Sequence, residues 1–144
     1  MPIVGFNFDK ILIERIKPVE GQVRVKRNMS IKDIKKQELA LGPKKKEELL
    51  KCDFEFSINY EPGLGNIMIT GHILFMEDPP ELKKLFDGWK KNKELPPNLT
   101  SLLLNTALLR CNIKALGLIQ DVNLPPHMQL PTINPKSKAS DYIG

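Results

Sequence analysis

Polar and apolar positions alternate through most of the first half of the chain, then recur every three or four residues. Leu50 to Tyr60 is the clearest strand. Cys52, Phe54, Phe56, Ile58 and Tyr60 alternate with Asp53, Glu55, Ser57 and Asn59, as on a sheet with one buried and one polar face. Glu61-Pro62-Gly63-Leu64-Gly65 predicts a turn, and Asn66 to Glu77 the returning strand of an antiparallel hairpin. Its two faces, Ile67, Ile69, Gly71, Ile73 and Phe75 against Met68, Thr70, His72, Leu74 and Met76, are both largely apolar, so cover is expected on both. Upstream, Phe6 to Ile16 predicts a first strand, ended by Lys17-Pro18-Val19-Glu20-Gly21. Gln22 to Ile31 predicts a second, with Val23 and Val25 opposed to Arg24, Lys26 and Asn28. The lysine-rich stretch from Lys32 to Lys46, interrupted by Gly42-Pro43, is expected to leave the sheet as a loop or a short helix.

After Glu77 the spacing becomes helical. Asp78-Pro79-Pro80-Glu81 has the composition of a helix start with a capping box. Leu82, Leu85, Phe86 and Trp89 then form one stripe. Leu95-Pro96-Pro97 breaks that helix. A longer one, capped by Asn98 or Thr100, is expected to reach about Ile119. Its apolar residues fall on nearly every side, which predicts burial all round. One sheet covers one side, so a second copy of the chain is the simplest cover for the other. Pro125, Pro126 and Pro131 keep Val122 to Asn134 extended, yet Leu124, Met128, Leu130 and Ile133 need a surface to lie on. The expectation is therefore a single α+β domain over residues 1–135, a four-stranded antiparallel sheet followed by a long apolar helix and a Pro-rich tail, with a flexible segment at 136–144.

Composition narrows the function. The chain has 144 residues, 22 Lys+Arg against 17 Asp+Glu, and a formal charge of +5. That charge tolerates an acidic partner without requiring one, and the clusters at Lys35-Lys36, Lys44–Lys46 and Lys90–Lys93 read as solvated faces rather than a nucleic-acid surface. Cys52 and Cys111 read as buried thiols of a reducing compartment. Neither a signal peptide nor a membrane span is expected, and the localisation reads as cytoplasmic. His72 and His127 have no partner at metal-ligand spacing, and no nucleophile motif is present. Gly63-Leu64-Gly65 lies between strands, where a hairpin turn explains it better than a phosphate loop. No enzyme activity, metal or cofactor is expected.

Three stretches resemble SecB, the cytoplasmic export chaperone family. Phe6-Asn7-Phe8-Asp9-Lys10-Ile11 is similar to its first strand, and Leu95-Pro96-Pro97-Asn98-Leu99 to the start of its long helix. Pro126-His127-Met128-Gln129-Leu130-Pro131-Thr132-Ile133-Asn134 resembles its Pro-rich tail. Pro135 stands where the family has an aromatic, and the acidic character used to contact the SecA motor is absent. The resemblance implies an ATP-independent holdase, a homotetrameric dimer of dimers, that binds unfolded or precursor polypeptides during protein export. It implies an apolar client groove, for which Phe54, Phe56, Phe75, Phe86, Trp89, Met128, Leu130 and Ile133 are the candidates. It also implies an oligomer interface on the long helix, with Leu102, Leu109, Ile113 and Leu116 as candidates. A basic surface would favour acidic or neutral clients, an effect that salt weakens.

Other readings remain beside this one. SecB-like chaperones that protect antitoxins share the same features, and the lysine clusters suit an RNA- or ribosome-associated module. A hotdog-type thioester enzyme also joins a sheet to a long apolar helix. It places that helix early in the chain with an acid facing it, and here the helix follows the sheet.

Overall fold

The computed structural model describes residues 3–136, apart from the side chain of Leu41. Most of the expected 136–144 tail lies outside the described residues. Four strands, β1 (Ile3–Arg15), β2 (Arg24–Gly42), β3 (Lys45–Glu61) and β4 (Gly65–Phe75), are followed by helices α1 (Pro79–Asn92) and α2 (Pro97–Leu118). A 3-10 turn at Ile119–Asp121 continues α2. The sheet order is β1-β4-β3-β2 and every neighbouring pair is antiparallel. This is the expected α+β architecture.

The β3–β4 hairpin forms because its apolar positions fall into register. Leu50, Cys52, Phe54, Phe56 and Ile58 pair with Phe75, Ile73, Gly71, Ile69 and Ile67, so one face of both strands is buried. The other face of β4 is only half covered, through Met68, Thr70, His72 and Leu74. The cover expected on both sides of β4 is thus present on one, because both helices pack on the same face.

Lys32 to Lys46 is neither loop nor helix. β2 continues to Gly42, pairs with β3 as far as Lys45, and turns at Pro43-Lys44. The lysines join the strand because acids stand nearby on the hairpin: Lys32–Glu55 at 3.5 Å, Lys35–Asp53 at 3.4 Å and Lys46–Glu38 at 3.7 Å. Ile34, buried between them, anchors the inner side.

Neither helix has the side-chain cap expected for it. At Asp78 and at Pro96 the backbone carbonyl begins the helix, and the following proline supplies a fixed φ. Thr100 sits inside α2 and donates its hydroxyl to Pro96 O at 3.1 Å. α1 buries Leu82, Leu85 and Trp89, as the stripe predicts. α2 buries only Leu99, Leu103, Ala107, Cys111 and Ala115, a ridge of every fourth residue. It crosses β2, β3 and β4. The small residues Ala107, Cys111 and Ala115 let its backbone approach the sheet closely. Burial all round therefore fails within one chain: Leu102 is 39 % exposed, and Leu109 and Ile113 are 62 % exposed.

Pro97–Asp121 is also long and apolar enough, by length and composition, to cross a membrane. In the fold this helix is the cover of the sheet.

Gly71 marks a tight contact in the core. A Cβ there would meet the Asn7 carbonyl oxygen and lie 2.6 Å from Phe54 Cζ, whereas a Cβ at Gly117 on α2 meets nothing. Gly71→Ala is therefore expected to destabilise the protein by about 1–3 kcal/mol through overpacking, and Gly117→Ala to stabilise it by about 0.4–1 kcal/mol. Urea unfolding followed by circular dichroism measures both.

Candidate functional site

β1 and β2 are the two edges of the sheet, and each is interrupted by bulges. On β1 the register shifts between Ile3 and Gly5 and between Phe8 and Lys10; on β2 it shifts between Ile31 and Asp33 and between Ala40 and Gly42. Bulges discourage unwanted strand pairing. Arg24 to Ile31 is the regular run that opens β2, and its outer side is unpaired among the described residues.

This run borders an apolar crevice against α2. Ile31, Trp89, Leu95 and Leu104 line a hollow of about 540 Å³ at the junction of the two helices. Met29, Phe56 and Leu108, with Arg27, Asn28 and Asn112, line a second of about 360 Å³. Met29 and Ile31 are two residues apart on one strand face, and Leu104 and Leu108 are four apart on one helix face. The hollows thus succeed each other along a single seam.

Hydrogen bonds fix both ends of the seam. At the upper end, Trp89 is 7 % exposed and donates its indole N–H to Asp33 Oδ1 at 3.2 Å, while the Lys93 ammonium lies 5.3 Å from its ring centroid. Burial works to raise the Asp33 pKa. The Trp89 and Ile34 hydrogen bonds, with Lys35 and Lys93 nearby, outweigh it and hold the carboxylate below its ordinary value. At the lower end the tail crosses over. Tyr60 donates its hydroxyl to Pro125 O at 2.6 Å, and Arg15 Nε donates to Val122 O at 2.9 Å. His127 is buried, with Nε2 2.9 Å from Asn112 Oδ1 and its ring edge-on to Phe56. His127 Nδ1 has no partner.

Of the eight residues proposed for a groove, the structure brings Trp89 and Phe56 to this seam. Phe54, Phe56 and Phe75 are enclosed in the core, with only the lining of the lower hollow touching Phe56. Phe86 lies beyond Trp89 on α1, half-buried, with Lys36 and Lys90 ammonium groups 4.8 and 4.9 Å from its ring centroid. Met128, Leu130 and Ile133 are exposed on the tail past His127. Met29, Ile31, Leu104 and Leu108 were not singled out by sequence. The first two end the second predicted strand, and the others are indistinguishable in sequence from the neighbouring leucines of α2.

A second polar group occupies the outer face of the sheet. Asp9, Asp53 and His72 place one ligand atom each within 4.8 Å of one another. Three different strands supply them, and the bulge after Phe8 accompanies the turn of Asp9 toward His72. His72 Nδ1 lies 2.9 Å from Asp9 Oδ2, while Lys35 and Lys51 reach Asp53 at 3.4 and 3.8 Å. Each member therefore has a partner already, and two ammonium groups oppose a cation there. Cys52 and Cys111 are free, fully buried, and pushed up to about 12 by burial, with Asp53 adding to the effect at Cys52. Such thiols stay protonated and are poor nucleophiles.

Burial, and then the nearby Arg27, lower the His127 pKa from its ordinary 6.5. Above 6.5 the folded and unfolded chains both carry neutral imidazole. As pH falls below 6.5 the unfolded chain takes up a proton that the folded chain refuses, so stability drops. The melting temperature is expected to fall between about pH 7 and 5.5, and His127→Gln is expected to flatten that dependence. Differential scanning calorimetry across this range checks it.

In comparisons with known proteins the chain matches no family model, no curated protein and no solved structure.

Proposed function

We propose that this protein is a nucleotide-independent holdase that captures extended, unfolded polypeptide along the β2–α2 seam. The observation that carries the reading is the juxtaposition of an unpaired strand edge, Arg24 to Ile31, with two apolar hollows. A client strand would pair its backbone with β2 and drop alternate side chains into the hollows. Backbone pairing is indifferent to sequence, and apolar burial stabilises by roughly 25 cal/mol per Å². Met29, and Met128 beside the lower end, suit varied clients because a thioether side chain adapts its shape. Holding needs no chemical step, so no nucleotide or metal enters the proposal. Export precursors and antitoxins both present extended apolar segments and are both suitable clients. A cytoplasmic location accords with two free thiols.

Self-association through α2 belongs to the same proposal. Leu102, Thr106, Leu109, Ile113 and Leu116 follow the alternating four-and-three spacing of a coiled-coil seam; Leu102, Leu109 and Ile113 are exposed, and Leu116 at its end is half-buried against the core. Thr106 donates its hydroxyl to Leu102 O at 2.7 Å, so it could be buried there without an orphan donor. Two such seams would cover each other. The nucleic-acid reading has less support on the β2–β3 hairpin, where Lys26, Lys32, Lys35, Lys46 and Lys51 are each within 4.0 Å of a carboxylate.

Two measurements test the proposal. Diluted with a chemically unfolded client and no nucleotide, the protein is expected to suppress light scattering, and Leu104→Asp is expected to lose most of that suppression while keeping its circular dichroism. No suppression at large excess contradicts the holdase. In sedimentation the chain is expected to run as a dimer or larger, and Leu109→Asp with Ile113→Asp as a monomer. Sedimentation of the unaltered chain as a monomer at micromolar concentration contradicts the α2 interface.

A further inference from the structure

We infer that the seam selects extended segments whose apolar residues are flanked by carboxylates, an inference that rests on the holdase reading and names its preferred client. A cation stands at each end of the seam. Arg27 lines the lower hollow beside Met29 and Phe56, and Lys93 lines the upper one beside Trp89. Among the described residues neither has a carboxylate within 4.0 Å, in contrast to the lysines of the β2–β3 hairpin. Lys93 instead rests on the Trp89 ring, and Arg27 acts on the buried His127. Lys36 and Lys90 continue the positive field past the upper end, both near the Phe86 ring and, among the described residues, neither within 4.0 Å of a carboxylate. Glu94, exposed, is the one acid in the lining of the two hollows among the described residues, and Asp33, near Lys93, already accepts the Trp89 and Ile34 N–H groups.

The spacing gives the pattern. Arg27 and Ile31, which borders the Lys93 hollow, are four residues apart on β2, about 13 Å in an extended strand. A client strand laid against β2 has the same rise per residue. Its apolar side chains fill the hollows at alternate positions, and acids just outside them meet Arg27 and Lys93. Each contact is at the rim, where an ion pair contributes about 0.2–1 kcal/mol. Two of them together shift affinity by roughly two- to thirtyfold. That is enough to rank clients while the apolar hollows do most of the binding. An ammonium resting on an indole ring is partly desolvated already, so ordering it against a carboxylate costs less than ordering a free lysine.

Trp89 is the only tryptophan in the chain, so its fluorescence reports directly on the upper hollow. Synthetic peptides with one apolar core, flanked by aspartates, by lysines or by serines, are titrated into the full-length protein at low and at high salt. The aspartate-flanked peptide is expected to bind roughly two- to thirtyfold more tightly than the serine-flanked one at low salt, and the gap to close at high salt. Arg27→Glu with Lys93→Glu should reverse the order. Lys93→Glu alone, remote from the buried His127, should abolish the preference if the double variant fails to fold. Equal affinity for all three peptides overturns this inference and leaves the holdase reading standing. Binding of none of them overturns both. Displacement of the bound peptide by single-stranded RNA at equal concentration overturns the inference in favour of a nucleic-acid ligand.

Discussion

The small-residue side of α2 lying across the sheet is the contact on which the rest of the structure depends. Ala107, Cys111 and Ala115 bring the helix down onto the buried face, and a helix is about 10–12 Å wide with its side chains. Four strands spaced about 4.8 Å apart are wider than that. One helix therefore cannot seal the face to both edges, and α1 covers only part of the remainder. The seam along β2 is the gap left where α1 ends, α2 begins and the edge strand runs past both.

The same geometry accounts for the features that look surplus. A helix buried on a ridge of every fourth residue leaves its opposite side apolar and exposed, at Leu102, Leu109 and Ile113. Arg15, on the far edge strand, and Tyr60, on β3, hold the start of the tail across the sheet, and Asn112 holds His127 at the lower end of the seam, where its ring lies edge-on to Phe56. Several basic residues of the hairpin, Lys26, Lys32, Lys35, Lys46 and Lys51, lie within 4.0 Å of acids, whereas Lys36, Lys90 and Lys93 lie over aromatic rings.

Most of the fold was legible in the sequence because its signals were local. Strict alternation marked β3, and the stripe from Leu82 to Trp89 marked α1. The second half of β2 was not legible: lysines that look like a loop in one dimension become strand residues once Asp53, Glu55 and Glu38 stand near them. The cluster of Asp9, Asp53 and His72 was hidden for the same reason, since its members come from three strands. The site was legible in part. Trp89 stood out as a ring on an amphipathic stripe. Phe54 and Phe75 carried the same aromatic signal but belong to the core, because alternation reveals a buried face without revealing what buries it. Leu104 and Leu108 could not be told from their neighbours, since in an all-apolar helix only the sheet decides which side is open.

Hydrogen exchange of the backbone amides, with and without an unfolded client, tests the central claim most directly. The account predicts that the client slows exchange in β2 between Arg24 and Ile31, leaving β1 unchanged. Unchanged exchange in that stretch while the client is bound, with protection confined to β1 or to the outer sheet face around His72, would contradict it.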